Sequence, residues 1–294
     1  MAEQKIELRK IRDFGENLSD TFGFIRQHAG PLLKSFLAIS AIFIIAQGIS
    51  TSIYQSHITR VFRGVLTSSN PGMEWFRSIF NLNYFIIIFM SLLTITSMQV
   101  VLSAYMKYYI ENGTKPSMQE VWALFKRYFF KVLLFKTVVY LSLLVAVFFC
   151  LFPALYLAVV LAPLPLVAVI EDKGLTESYQ RCFELIKENF WSSLGLYIVA
   201  YILYLIAAGI IGGSLSIVSW LAGYLTTSDL DIYMIGINSF FKSFSYIFYV
   251  ILFVCIAMNY FSLVEKKDAT GLLSRIDTIG GTNFTGSKET DEAY

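Results

Sequence analysis

Apolar residues in this chain fall into long runs separated by short amphipathic stretches, and the runs are long enough to cross a membrane. About 20 consecutive apolar residues suffice for one crossing. Leu32–Tyr54 and Asn83–Tyr105 each predict one span. From Val132 to Ile170 the chain runs 39 positions with no Asp, Glu or Arg and only Lys136. That is too long for one crossing and enough for two joined by a tight turn, placed at Pro153 because proline disfavours a continuing helix. Ser193–Gly213 and Ser239–Val264 complete six spans. The stretch from Gly212 to Asn238 mixes Gly, Ser and Thr with apolar residues and reads as an outer loop with an interfacial segment at Trp220.

The amphipathic stretches echo one another. Leu18-Ser19-Asp20-Thr21-Phe22 is matched by Met118-Gln119-Glu120-Val121-Trp122 and by Leu175-Thr176-Glu177-Ser178-Tyr179. Phe24-Ile25-Arg26 then matches Leu124-Phe125-Lys126 at the same spacing, and Leu185-Ile186-Lys187 with about one extra helical turn. Each echo precedes two spans. The pattern predicts an all-α integral membrane protein: six transmembrane helices as three repeats of cytoplasmic amphipathic helix plus transmembrane hairpin. Residues 1–30 form the first amphipathic helix, 31–264 the membrane domain, with spans 3 and 4 over 132–150 and 153–170, and 265–294 a partly disordered tail. Within the tail, Gly271–Ile276 reads as a short helix.

Helical spacing assigns the faces. Ile11, Phe14, Leu18, Phe22 and Ile25 share one side of the first helix, with Gly15 and Gly23 as points of bending. Ser117-x-x-Glu120 is a capping box that opens the second helix. Its Val121, Trp122, Phe125 and Tyr128 face one way, and Lys126 and Arg127 face the headgroups. Leu175, Tyr179, Cys182, Phe183 and Ile186 line one side of the third. Such helices lie in the membrane interface. Trp122, Lys126, Arg127, Tyr179, Phe183 and Trp191 are the candidate partner or lipid interface.

Charge fixes the expected orientation through the excess of Lys and Arg on the cytoplasmic side. With six spans and the N-terminus inside, nineteen Lys and Arg lie inside and four, Arg60, Arg63, Arg77 and Lys242, outside. A single crossing over 132–170 would leave thirteen against ten. Both termini are therefore expected on the cytoplasmic side. The N-terminal twenty residues are charged and do not read as a cleavable signal peptide.

Composition agrees: 56% of residues are hydrophobic, 15% are charged and mean hydropathy is +0.62, against roughly 25% charged in soluble domains. A net charge of +2 offers no basic field for nucleic acid. The partners expected are the lipid bilayer and another membrane protein.

The chemistry consists mainly of absences. No span contains Asp or Glu, the usual intramembrane proton relay. Lys34 and Lys136, one to two turns into their spans, read as snorkelling to the inner surface. Cys150, Cys182 and Cys255 have no CxxC spacing, and His28 and His57 stand far apart on opposite sides, so no metal or cofactor is implied. His57 with Arg60 and Arg63 reads as solvated loop residues. No nucleophile–base pair is available at depth, so the chain does not read as an enzyme. Ser40, Gln47, Ser91, Thr94, Thr96, Ser97, Gln99 and Ser142 read as interhelical glue, with a polar transport path as the alternative. Pro163 and Pro165 in span 4 are a candidate helix break, either a kink or a source of free carbonyls that line a site.

The segment Pro163-Leu164-Pro165-Leu166-Val167-Ala168-Val169-Ile170-Glu171-Asp172-Lys173-Gly174-Leu175-Thr176-Glu177-Ser178-Tyr179, followed by Phe183-Glu184-Leu185-Ile186-Lys187-Glu188-Asn189-Phe190-Trp191, joins an apolar span, an acidic turn and an amphipathic helix. It resembles a broad group of bacterial six-span proteins that includes the YciC-like inner-membrane proteins and the membrane domain attached to glycerophosphodiester phosphodiesterases. The resemblance implies the bacterial cytoplasmic (inner) membrane as the location. The likeness is good over 170–264 and loose before that. The exit Leu263-Val264-Glu265-Lys266-Lys267 resembles members from Bacteroidota. No soluble phosphodiesterase domain is present in these 294 residues, and the resemblance brings no catalytic residues with it. The function expected is a non-enzymatic scaffold or accessory subunit of a larger membrane complex. The alternative is a lipid-handling or small-molecule permease that uses the Pro163/Pro165 break.

Overall fold

The computed structural model describes residues 6–65, 72, 81–149, 151–225 and 230–269. Cys150, the segment 271–276 and the rest of the tail lie outside them. All the regular structure among the described residues is helical. In chain order the helices are α1 (Phe14–Val65), α2 (Leu82–Asn112), α3 (Met118–Phe149), α4 (Leu151–Val160), α5 (Leu164–Ile170), α6 (Leu175–Ile186), α7 (Phe190–Leu225), α8 (Leu230–Lys242) and α9 (Tyr249–Asp268). Short 3-10 turns, Lys187–Asn189 and Ser243–Phe248, join α6 to α7 and α8 to α9. Six stretches are long and apolar enough to span a membrane: Phe14–Phe62, Leu82–Asn112, Met118–Phe149, Leu151–Ile170, Leu175–Val218 and Tyr233–Asp268. The chain is a multi-pass membrane protein.

The first two amphipathic stretches are not separate helices. They run straight into the spans that follow, and only the third, α6, stands alone. The N-terminal helix also starts later than its spacing predicts. Residues 6–13 are not helical, because Arg12 supplies their hydrogen bonds. Its buried guanidinium donates to the carbonyls of Leu8 (2.9 Å), Lys10 (3.1 Å) and Glu7 and to Asp20 (2.7 Å). The Arg12 amide donates to Ser262 Oγ (2.9 Å), which docks the segment on α9. Asp13 Oδ1 then accepts from the Glu16 amide and opens α1. Gly23 lies within α1, where an added Cβ would meet Ile6 Cδ1 at 2.8 Å.

The apolar stripe Ile11, Phe14, Leu18, Phe22 and Ile25 does not face one environment: Leu18 and Ile25 pack against the core. Ile11, Phe14 and Phe22 are exposed, whereas Asn17, Thr21, Phe24 and His28 are buried. Lipid accepts apolar side chains as readily as a protein core does, so the polar face of a membrane helix is the one that turns inward to find partners. The capping box forms as expected: the Ser117 amide donates to Glu120 Oε2 (2.6 Å) and the Glu120 amide to Ser117 Oγ (3.4 Å).

Packing is uneven along the bundle. From Thr96 to Met106 every residue of α2 is buried, enclosed by α1, α3, α5 and α9. This is the end that carries residues 6–13 and Asp268, hereafter the near end. At the far end Leu82, Phe148, Phe149, Leu151 and Ile210 are each more than 70% exposed. The stretch expected as an outer loop is helical wherever described, as the end of α7 and as α8. A loop in hydrocarbon would leave backbone groups unpaired, and a helix satisfies them internally even where Gly and Ser weaken its propensity.

Candidate functional site

A polar cavity lies where the last span is interrupted. α8 carries Asn238, Ser239 and Lys242 at helical spacing, and the following 3-10 turn carries Ser243, Ser245 and Tyr246. Hydroxyls help to hold the interruption: Ser243 Oγ donates to the Ser239 carbonyl (3.2 Å) and Ser245 Oγ to that of Lys242 (2.6 Å). Opposite stand Thr51 and Gln55 of α1, one turn apart, and Tyr204 and Ser216 of α7. Together with Ile235 these residues line an open cavity of about 460 Å³, within the range of small-molecule sites.

Glycines set how closely the walls approach. An added Cβ at Gly48 would stand 2.9 Å from the Phe240 ring and 3.2 Å from the Phe240 carbonyl. At Gly236 it would meet Ser56 Oγ at 2.8 Å and Ser52 Oγ at 3.0 Å. On the near side of the cavity the Tyr204 and Tyr249 rings stack at 4.0 Å, and Tyr246 stacks on Tyr249 at 5.6 Å.

Lys242 is the only charged residue among the described lining residues. Its stem crosses Gly212, where an added Cβ would stand 3.3 Å from Cε. Gly212 lies inside the spanning stretch Leu175–Val218. No hydrogen bond or ion pair joins the Lys242 ammonium to another described residue. A cation at the centre of a spanning helix costs about 2.5–3.5 kcal/mol on insertion scales, less toward the ends. Lys242 itself is exposed, whereas Asn238 Oδ1 is buried without a partner.

At the near end a second polar group has a structural character. Glu171 and Asp172 follow α5, and Asp172 sits in the left-handed region at φ 51°, which Asp tolerates better than most residues. The two carboxylates serve different neighbours. Glu171 accepts from Tyr260 (2.8 Å) and Arg181 (3.3 Å) and pairs with Lys173 (2.6 Å). Asp172 pairs with Lys131 (2.8 Å) and Arg127 (3.2 Å) of α3. The Lys131 hydrogen bond holds the Asp172 carboxyl below the usual carboxylate range, against the opposing pull of partial burial. Arg181 continues to Asp268, and Lys267 to Glu184 (3.3 Å). One turn therefore ties α3, α6 and α9 together.

The sequence-predicted interface residues do not form one patch. Trp122 is exposed and stacks on Phe125 at 5.5 Å, with Lys126 over its ring at 5.7 Å. Arg127 is engaged by Asp172. Tyr179 and Phe183 pack inward against the core, Phe183 6.2 Å from the Tyr156 ring. Trp191, edge-on to the Phe190 ring at 5.4 Å, is 74% exposed at the start of α7. Lys34 is exposed, but Lys136 is buried, with its ammonium 5.9 Å from the Tyr140 ring centre. His28 packs among Phe24, Tyr105 and Tyr109. His57 is about 43 Å further along α1 at 1.5 Å per residue. No three His, Cys, Asp or Glu among the described residues could share a metal ion.

The span-4 break is present and closed. Pro163 cannot donate to Val159 O, nor Pro165 to Leu161 O. Those carbonyls accept instead from Ala162 (3.3 Å) and Leu164 (3.2 Å), one residue earlier. The adjoining space, lined by Gln99, Ser103 and Pro165, is about 10 Å³, the scale of a single water.

The cavity was the feature that sequence reading missed. Its walls come from positions near 51, 210 and 240, which no local pattern joins. The one available signal was the polar series Asn238, Ser239, Lys242, Ser243 and Ser245 at the entrance of an otherwise apolar span.

No protein-family model, curated protein or solved structure matches the chain.

Proposed function

We propose that the protein is a lipid-handling or small-molecule permease whose working site is the cavity at the interrupted last span. One observation carries this reading: a cavity of about 460 Å³ with polar walls and an unpaired Lys242 where a spanning helix breaks. Irregular backbone at membrane depth persists where it lines a cavity, and transporters place binding sites at interrupted helices. The reading moves the permease path from Pro163/Pro165, where the carbonyls are engaged, to the break at Ser243–Phe248. It includes the bacterial cytoplasmic membrane, cytoplasmic termini, the three-repeat arrangement and kinship with the YciC-like group, supported by the Lys/Arg distribution and the echoed segments.

The test is cysteine reactivity. Ser239→Cys, in full-length protein with Cys150→Ser, should react with a small aqueous maleimide in proteoliposomes and lose reactivity when the cavity is occupied. A cysteine inert under every condition would remove the reading.

Scaffolding within a larger complex is the second reading. It is favoured by the exposed Trp191 and the Trp122–Lys126 pair. It predicts a stoichiometric membrane-protein partner after gentle purification from the host, lost on Trp191→Ala. A lone, fully active monomer would count against it.

A further inference from the structure

We propose that the Lys242 cavity binds a phosphate-bearing monoanion, the phosphodiester headgroup of an anionic lipid. The inference rests on the permease reading and narrows its ligand. The described lining offers one positive charge and no carboxylate, so a ligand carrying one net negative charge completes the site and a cation does not.

The remaining walls suit phosphate oxygens. Ser216, Ser239 and Thr51 donate to carbonyls four residues back in their own helices. In a regular helix such a carbonyl already accepts a main-chain N–H, so each hydroxyl can rotate to a ligand oxygen at little cost. The Asn238 amide, with Oδ1 buried and unpartnered, supplies N–H donors when turned over, since its two ends are nearly isosteric. With the Lys242 ammonium, donors then reach the site from all three walls.

The surroundings favour a lipid over free phosphate. Ile210 and Ile217 of α7, the helix that gives Ser216 to the cavity wall, are 72% and 67% exposed. They offer an apolar track for acyl chains beside the headgroup position. A volume of about 460 Å³ also leaves room for the group esterified to the phosphate.

The experiment compares full-length protein with Lys242→Gln and Lys242→Arg, each carrying Ser239→Cys and Cys150→Ser. The proteins are placed in nanodiscs of phosphatidylcholine alone, of phosphatidylcholine with phosphatidylglycerol, or of phosphatidylcholine with added inorganic phosphate. Maleimide labelling at position 239 and lipid retention by native mass spectrometry are read together. Phosphatidylglycerol should protect the cysteine and be retained over phosphatidylcholine. Lys242→Arg should keep this preference, and Lys242→Gln should weaken it about tenfold. Protection by inorganic phosphate alone, lost with Lys242→Gln, would keep the phosphate chemistry and assign it to a free anion. Equal protection by phosphatidylcholine, or protection indifferent to residue 242, would overturn the inference and leave the cavity reading standing. A cysteine that reacts identically in every mixture and variant would end both.

Discussion

The Lys115 ammonium donates to the Gln27 carbonyl at 2.7 Å, and that carbonyl is the one deprived of its helical partner by Pro31. Residue 31 would normally donate to residue 27, and proline has no N–H. α1 crosses the proline without stopping because a side chain from the connection before α3 replaces the missing donor.

This relationship predicts a thermodynamic coupling. Lys115→Met should lower stability by about 1 kcal/mol, the order of one hydrogen bond. In a Pro31→Ala background, where the main-chain donor returns, the same change should cost close to nothing. A double-mutant cycle of thermal unfolding in detergent measures the difference; equal costs in both backgrounds would refute the replacement.

Arg181 joins Glu171 to Asp268 with only 12% of its side chain exposed. Arg181→Ala leaves two carboxylates without their shared cation. Because those carboxylates are partly solvated, the loss should be about 2–3 kcal/mol, below the 3–5 of a fully buried pair. Thermal unfolding reads it directly, and a change near zero would show the cluster to be a surface ornament.

Asp172 sets a pH window. Its folded carboxyl titrates below its unfolded value near 3.9, so its ion pairs stabilise the fold above about pH 4 and lose their effect as pH falls through the lower folded value. Wild type and Asp172→Asn should therefore differ at neutral pH and converge in acid, as urea or thermal midpoints would show. Asp172→Ala should be worse than Asp172→Asn by about 1 kcal/mol at every pH, because φ 51° suits asparagine better than alanine.

Gly48 and Gly236 let α8 lie against α1. Gly48→Ala should destabilise by about 1–3 kcal/mol, since the new methyl meets a ring and a carbonyl at once. Gly236→Ala should cost less, because it meets mainly serine hydroxyls that can rotate. Unfolding midpoints rank the two, and the reverse order would contradict the packing described.

The number of spans was legible because hydrocarbon demands about 20 apolar residues per crossing. The capping box and the proline break were legible because each is local chemistry. Inward and outward faces of α1 were not: hydropathy cannot distinguish the exposed Phe22 from the buried Phe24. The helical ends of α7 and α8 were hidden by Gly, Ser and Thr, whose weak propensity is overruled where backbone groups have no water. The cavity escaped because three distant segments build it, and Lys242 looked like an ordinary residue at the edge of a span.

The uneven packing gives the two ends of the bundle different kinds of restraint. The acidic turn pins α3, α6 and α9 by ion pairs at the near end, whereas α8 is held against α1 by the close approaches at Gly48 and Gly236. α7 has 36 residues, about 54 Å of helix at 1.5 Å per residue, so a tilt of about 5° carries its far tip about 5 Å. Ser216 lies 26 residues beyond Phe190, about 39 Å along the same helix, so that same tilt would move the wall facing Lys242 by about 3 Å.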